Sequence, residues 1–130
     1  MRYKLEQALL NGDLAVTDLP QAWGDELQNL LGIRPRNNRE GCLQDIHWYD
    51  GMIGYFPTYS LGAMCAAQFK SALDKTEQGQ DWSQTLAWLR EHIHSKASLL
   101  ASSKDIMMAV TGEPLSITPF LAHLRARYLS

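Results

Sequence analysis

The sequence has little of what marks secreted or membrane proteins. Its two cysteines, Cys42 and Cys65, form no metal-ligand pattern and are expected to be free thiols, as is typical of the reducing cytoplasm. The longest apolar runs fall far short of the roughly 20 residues that a membrane-spanning helix needs. The first residues are charged and amphipathic, unlike those of a signal peptide. We therefore expect a cytoplasmic protein with no membrane role.

An excess of charge of one sign is lacking as well. Twelve basic and 14 acidic residues give a net charge of -2, and the densest basic patch is Arg34, Arg36 and Arg39. Nucleic-acid binding requires a concentrated basic surface, so this class of partner is excluded. Hydrophobic residues make up 45% of the 130-residue chain, which excludes disorder throughout and predicts one domain, residues 1–130.

Sustained alternation of polar and apolar residues is also missing, so no strand is predicted. Helix signals recur instead, and we predict an all-α chain of five to six helices. The predicted helices cover residues 2–10, 18–31, 59–73, 82–95, about 103–112, and 118 onward. Gly12, Gly32 and Gly112 are predicted to end helices. Capping boxes are predicted at Asp18 and Asp81, and Ser102 or Ser103 is predicted to cap another helix.

The segment at about 33–57 is predicted to be an irregular, functional loop. His47 could donate a hydrogen bond or move a proton near neutral pH. Tyr55 and Tyr59 could donate to a developing oxyanion. Asp45, two residues before His47, could hold the imidazole in one tautomer. The residues alone also allow a structural interpretation, in which a satisfied histidine and buried tyrosines have no catalytic part.

Residues 41–48 read Gly-Cys-Leu-Gln-Asp-Ile-His-Trp, which matches the pattern Gly-x-x-Gln-Asp-x-His-Trp. The chain thereby resembles the carboxypeptidase Taq family of zinc metallocarboxypeptidases. Residues 54–62 (Gly-Tyr-Phe-Pro-Thr-Tyr-Ser-Leu-Gly) and segments at 12–14 with 18–20, 31–35, 88–94 and 111–115 are similar to that family too. The resemblance follows the order of nearly the whole chain. It implies the C-terminal portion of a larger helical peptidase fold that removes C-terminal residues from peptides.

The resemblance also implies what this chain lacks. In the family, zinc, or another divalent metal, is bound by a His-Glu-x-x-His helix and a later glutamate, all upstream of the matched region. No His-Glu-x-x-His occurs here. His92 and His94 do not replace it, because side chains two apart on a helix diverge. We expect no metal to be bound by this chain alone. The uncapped start of the first helix is consistent with either a truncated chain or a frayed end.

The resemblance implies that the loop lies across the cleft from the metal. His47 and Tyr55 or Tyr59 would then donate to the tetrahedral intermediate or the adjacent peptide. Substrate-binding or supporting roles are assigned to four further residues: Gln44, Asp45, Trp48 and Arg34. Arg34 is the weaker candidate, as a ligand of the substrate carboxylate. The expected partners are a peptide with a free C-terminus and the missing N-terminal part of the peptidase. Family members are commonly homodimers.

A second hypothesis belongs to a different class. The chain could be a catalytically inactive helical module that keeps the peptidase scaffold and binds a peptide or a protein partner. A third possibility is purely structural: the helices could self-associate through apolar faces that a missing lobe would otherwise cover. Zinc content and hydrolysis of an N-blocked dipeptide distinguish an active enzyme from both alternatives.

Overall fold

The computed structural model describes residues 1–79 and 81–129 and confirms the all-α prediction. No strand occurs among these residues. The α-helices are α1 (Arg2–Asn11), α2 (Leu19–Leu31), α3 (Ile46–Tyr49), α4 (Pro57–Leu73), α5 (Trp82–Leu89), α6 (Ser103–Thr111) and α7 (Thr118–Tyr128). Short 3-10 turns lie at Val16–Asp18, Cys42–Gln44 and Glu77–Gly79, and a π-helical turn follows α5 at Arg90–His94.

The described residues form seven α-helices, one more than the six predicted ranges. The additional helix is α3, which lies inside the segment that was predicted to be irregular. The predicted helix at 59–73 begins two residues earlier, at Pro57, because proline is well tolerated in a first helical turn. The predicted helix at 82–95 is α5 together with the π-helical turn.

Glycines end three of the helices where the sequence predicted an end. Gly12, Gly32 and Gly112 have φ angles of 79°, 70° and 74°, in the left-handed region that a residue with a Cβ adopts at a cost. Each backbone N–H donates to a carbonyl in the preceding turn, which satisfies an otherwise unpaired acceptor.

The N-cap bond forms at two of the three predicted positions, although the box predicted at Asp81 lacks the reciprocal bond from the Gln84 side chain among the described residues. The side chains of Asp81 and Ser102 each accept a hydrogen bond from the backbone N–H three residues later. The capping box predicted at Asp18 is wrong. A 3-10 turn precedes this residue and gives it a helical backbone (φ -94°, ψ -7°), and its side chain makes no capping bond. The Gln21 side chain donates to Asp25 instead of reaching back.

The chain divides into two compact units, Met1–Tyr59 and Ser60–Ser130. In the first unit, Leu5 of α1 and Trp23 of α2 pack with Cys42 in a buried cluster. Partly buried apolar side chains surround this cluster, among them Leu14, Leu19, Leu27 and Trp48. The first unit therefore carries its own core. The prediction of a single domain over residues 1–130 stays a prediction.

In the second unit, a buried amide holds the connection between α6 and α7 onto α4. Gln68 is only 4% exposed. Its Nε2 donates to the carbonyl of Pro114 at 3.0 Å and to Thr111 Oγ1 at 3.2 Å, and its Oε1 accepts from the backbone N–H of Ser116 at 2.8 Å. One side chain therefore satisfies three polar groups that come from more than 40 residues away.

Replacing Gln68 with alanine is expected to lower the free energy of unfolding by about 2 kcal/mol. Each lost hydrogen bond contributes roughly 0.5–1.5 kcal/mol, and the vacated polar groups gain no new partner. Urea denaturation followed by circular dichroism measures the change. Gln84→Ala, at an exposed position, is the control and should stay within about 0.5 kcal/mol of the parent. Equal effects of the two substitutions would contradict this account.

Candidate functional site

Three aromatic residues singled out from the sequence lie together in the first unit. The His47 ring stacks on Tyr55 with centroids 5.6 Å apart and meets the edge of Tyr59 at 5.7 Å. The Tyr55 and Tyr59 rings are 5.5 Å apart. His47 Nε2 lies 3.0 Å from the Tyr59 hydroxyl, within hydrogen-bond distance. The three side chains, here called the ring cluster, therefore form one contiguous group.

Exposure differs sharply between the members of this region. Tyr55 and Tyr59 are 44% and 55% exposed, whereas Asp45 is 2% exposed. The hydroxyl of Tyr55 has no hydrogen-bond partner among the residues that the structure describes, and the exposure of this residue leaves it open to solvent or a ligand. Phe56 meets the edge of His47 at 4.9 Å and adds an apolar wall. The ring cluster is thus accessible at its phenols and supported on its inner side.

Asp45 supports His47 from the backbone and from the side chain. Its Oδ1 accepts hydrogen bonds from the backbone N–H of His47 at 2.9 Å and of Trp48 at 3.2 Å, which caps α3. The same oxygen lies 3.4 Å from His47 Nδ1. A carboxylate only accepts, so this contact favours the tautomer with the proton on Nδ1, in which Nε2 faces Tyr59 as an acceptor.

The second oxygen of Asp45 pairs with a residue that sequence reasoning missed. Arg2 Nε lies 3.0 Å from Asp45 Oδ2, and the Asp45 side chain is fully buried. The guanidinium also lies over two rings, 4.2 Å from the centroid of Phe56 and 5.1 Å from that of Trp23. Arg2 therefore compensates a buried charge and packs against the wall of the ring cluster.

Glu6 is a second such residue, one helical turn further along α1. It is 5% exposed, and both of its oxygens accept hydrogen bonds from the loop: Oε2 from Trp48 Nε1 at 2.7 Å, and Oε1 from the backbone N–H of Gly54. The Trp48 ring also meets Trp23 edge-on at 6.0 Å, and its role in fixing the loop stays a prediction. The hydrogen bond to the Trp48 indole comes from α1.

A sequence signal for these two residues exists in retrospect. Arg2, Leu5, Glu6 and Leu9 follow one another at spacings of three, one and three residues, so they share one stripe of a helix. Two charged residues within an apolar stripe indicate buried, paired charge, since Arg and Glu are rarely buried without a partner. The partners themselves could not be read from the sequence.

The remaining predicted site residues lie outside the ring cluster. Gln44 is exposed at the end of a 3-10 turn. Arg34 forms an ion pair with Asp25 and lies over α2, where a Cβ on Gly24 would be 3.0 Å from its Nη1. The Arg34 guanidinium therefore already has a partner, Asp25, within the first unit. Its role as a ligand of the substrate carboxylate stays a prediction.

Within the described part of the chain, two titratable groups have pKa values shifted from the ordinary ones. Hydrogen bonds from Arg34 and then Gln21 lower the pKa of Asp25. Because the folded-state value is depressed, any stabilisation from this exposed pair is present at neutral pH and is lost as the pH falls through the range where Asp25 binds a proton. Burial raises the pKa of the Cys65 thiol. Cys65 and Cys42 are both free thiols.

An apolar groove of about 310 Å³ borders the same loop. Its lining includes Leu9, Leu10, Val16, Leu43 and Ile53, together with Glu6, Asp45 and Trp48. None of the three side chains of the ring cluster lines it. The loop thus separates an aromatic, hydroxyl-bearing surface from an apolar one.

The described residues do not form a metal site. Within residues 1–79 and 81–129, no three His, Cys, Asp or Glu side chains are grouped closely enough to hold a metal ion. Asp45 and His47 do not fit as ligands, since the Asp45 oxygens face Arg2 and two amides while His47 faces Asp45 and Tyr59. No helix in the described part of the chain combines the length and apolar character that crossing a bilayer requires.

Comparison of this chain with known proteins identifies its family. A family model described as carboxypeptidase Taq (M32) metallopeptidase matches residues 1–128. Thermostable carboxypeptidase 1 of Pyrococcus furiosus is 39% identical over 136 residues, which cover 99% of this chain and 27% of that protein. Carboxypeptidase 1 of Bacillus subtilis is 36% identical over 137 residues, which cover 98% of this chain and 27% of that protein.

Solved structures agree with the sequence matches. Trypanosoma cruzi metallocarboxypeptidase 1 superposes with a TM-score of 0.91 at 36% identity, covering 99% of this chain and 29% of that one. The M32 carboxypeptidase of Deinococcus radiodurans R1 gives a TM-score of 0.91 at 34% identity, covering 98% and 27%. The chain thus spans about 27% of the length of the curated relatives it matches, in their C-terminal part. It belongs to the carboxypeptidase Taq (M32) family of metallopeptidases.

Proposed function

We propose that this chain forms one wall of the active site in a zinc-dependent metallocarboxypeptidase that removes C-terminal residues from peptides. In this proposal, the ring cluster supplies the oxyanion-binding and substrate-binding side of the cleft. Membership of the M32 family supports the reaction class. The observation that carries the assignment to this loop is the contact of 3.0 Å between His47 Nε2 and the Tyr59 hydroxyl, next to the accessible phenol of Tyr55.

The proton positions follow from the partners. With Nδ1–H facing Asp45, the Nε2 of a neutral His47 accepts from the Tyr59 hydroxyl. Once His47 is protonated, Nε2–H donates to the Tyr59 oxygen, and the phenolic proton of Tyr59 is free to turn outward. Tyr55 has an uncommitted hydroxyl in both cases. The wall therefore offers at least one donor to the oxyanion of a tetrahedral intermediate, where preorganised donors lower the activation barrier.

The metal is proposed to be zinc, held by residues outside this chain, because the side chains described here do not fit a ligand set. When bound, it would polarise the scissile carbonyl and activate a water molecule. Asp45 is proposed to orient His47, with Trp48 and Gln44 fixing the loop. The partners would be a peptide with a free C-terminus and the N-terminal part of the peptidase, in a homodimer. The two free thiols support a cytoplasmic location.

Two phenylalanine substitutions in a full-length relative test the oxyanion role. At the positions aligned with Tyr55 and Tyr59, loss of a hydroxyl that donates to a charged oxygen is expected to cost about 1.5–3 kcal/mol of transition-state stabilisation, or roughly 10–150-fold in kcat/KM. Hydrolysis of an N-blocked dipeptide measures it, with Tyr49→Phe at the aligned position as the control outside the ring cluster. Changes below about threefold for both hydroxyls would contradict the role.

Hydrolysis of the same N-blocked dipeptide can be measured with the present chain by itself. Supplied with zinc, the chain is expected to show no turnover, because the metal ligands lie elsewhere. Stoichiometric zinc with turnover would contradict this expectation. Peptide binding by the isolated chain, combined with no effect of the tyrosine substitutions in the relative, would instead support an inactive peptide-binding module.

A further inference from the structure

The carboxylate of Glu6 is buried, which lowers stability unless hydrogen bonds or a counter-charge compensate for the lost hydration. A carboxylate at 5% exposure is rare, because burial removes the water that stabilises its charge. Glu6 is compensated by two N–H groups, one on each oxygen. These donors lie 42 and 48 residues further along the chain, so the contact is tertiary and not part of the α1 helix itself.

The two donors lie in the part of the loop between His47 and Tyr55. Trp48 directly follows His47, and Gly54 directly precedes Tyr55. Gly54 has a φ of 79°, so the chain turns there in a conformation that other residues adopt at a cost. A carboxylate is a rigid, planar group with a fixed distance between its oxygens. Glu6 therefore fixes the spacing between the residue after the imidazole and the residue before the first phenol.

Arg2 holds the same loop at two further points. It pairs with Asp45 and lies over the ring of Phe56. Arg2 and Glu6 are four residues apart on α1 and so face the same side. One face of α1 thus contacts the loop just before His47, between His47 and Tyr55, and between Tyr55 and Tyr59.

We propose that Glu6, supported by Arg2, is a positioning residue for the ring cluster: its carboxylate sets the separation of His47 and Tyr55 without contacting substrate or metal. This inference rests on the proposed function of the ring cluster. We expect a large effect on the rate, because misplacing a catalytic group by about 1 Å can lower the rate about 10²-fold. A residue that only stabilised the fold would leave the rings in place in every folded molecule.

Glu6→Gln is the sharpest test, because glutamine is nearly isosteric and keeps one acceptor oxygen. Its amide group then faces either the Trp48 indole or the Gly54 backbone, donor against donor. In the parent, the centroids of the His47 and Tyr55 rings are 5.6 Å apart. In the Glu6→Gln variant of the present chain, the nuclear Overhauser effects between these two rings are expected to weaken, at a temperature where the variant is folded. Glu40→Gln, in an exposed pair with Arg36, is the control and should leave them unchanged.

A double substitution separates positioning from loss of stability. In Glu6→Gln, Trp48→Phe, the indole donor is gone, so the glutamine oxygen can accept from Gly54 and its amide can face the phenylalanine ring. The ring contacts should then return to at least the level of Trp48→Phe alone, even if both variants unfold at a lower temperature than the parent. Full retention of the ring contacts in Glu6→Gln overturns the proposal, as does a double variant in which they are weaker than in either single variant.

An activity measurement in a full-length relative completes the test. Glutamine at the position aligned with Glu6 is expected to lower kcat about tenfold or more, with KM within about twofold. If substitutions in the ring cluster lower activity and this one does not, the positioning inference fails and the proposed function stands. If the ring contacts weaken but no substitution in the ring cluster alters activity, the proposed function fails and the positioning of the rings by Glu6 stands.

Discussion

Alanine at the position aligned with His47 in a full-length M32 carboxypeptidase is expected to lower kcat/KM by about 10²–10³-fold. His47 orients the phenols that are proposed to donate to the oxyanion, and the loss of one preorganised donor typically costs about 2.7–4 kcal/mol of transition-state stabilisation. The imidazole also holds the Tyr59 hydroxyl at 3.0 Å and stacks on Tyr55, so its loss disturbs both phenols. The effect should therefore exceed that of either Tyr→Phe substitution. Steady-state hydrolysis of an N-blocked dipeptide measures it.

The separate effects of the His47 substitution on kcat and on KM give a second criterion. A donor that acts in the transition state lowers kcat and kcat/KM together, whereas a residue that only binds substrate raises KM. Alanine at the position aligned with His123, an exposed histidine of α7, serves as the control and should change neither constant by more than about twofold. A decrease below about threefold at the position aligned with His47 would rule out its proposed role.

Asp45→Ala is expected to produce the largest loss of stability in the present chain, about 3–5 kcal/mol in the free energy of unfolding. The Asp45 carboxylate is fully buried and the Arg2 side chain is 28% exposed, so removing Asp45 leaves a largely buried guanidinium uncompensated. The substitution also removes the cap of α3, which contributes about 1 kcal/mol within this range. Urea denaturation followed by tryptophan fluorescence measures the loss.

Asp74→Ala is the matched control. This aspartate pairs with Lys70 four residues earlier on an exposed surface, where ion pairs contribute about 0–1 kcal/mol. Equal losses for Asp45→Ala and Asp74→Ala would contradict the importance of burial. If Asp45→Ala does not fold, the milder Asp45→Asn still tests the idea, because its oxygen can keep the two capping bonds while the charge on Arg2 loses its partner.

A double-mutant cycle isolates the ion pair itself. Arg2→Met keeps an unbranched apolar side chain against Phe56 and Trp23, and Arg2→Met, Asp45→Asn removes both charges together. Replacing both members of a buried pair is far less costly than removing one. The double variant is therefore expected to be more stable than the sum of the two single losses predicts, by at least about 1 kcal/mol. Simple additivity would show that Arg2 and Asp45 do not interact energetically.

Much of the helical framework was predictable because its signals are local. Gly12, Gly32 and Gly112 end helices through a backbone conformation that depends on the glycine itself. Asp81 and Ser102 cap helices by bonding an amide three residues away. Such interactions depend little on distant chain segments.

Local signals failed where neighbouring structure intervened. Asp18 has the sequence of a capping residue, but it ends a 3-10 turn with helical dihedral angles, and its side chain makes no capping bond. The single-turn helix α3 is too short for any periodic pattern to reveal, and it forms because the buried Asp45 caps it. Helix propensity alone predicts neither outcome.

By itself, the sequence determined the helical class of this protein, its family resemblance and the candidate trio His47, Tyr55 and Tyr59. All three depend on short motifs or on residues that cap and end helices, and these are recognised from neighbouring positions in the chain. Only the tertiary structure decided that Arg2 and Glu6 hold the loop bearing that trio. Their partners lie more than 40 residues away, and which buried charge meets which donor depends on how α1 packs, a choice that no local pattern encodes.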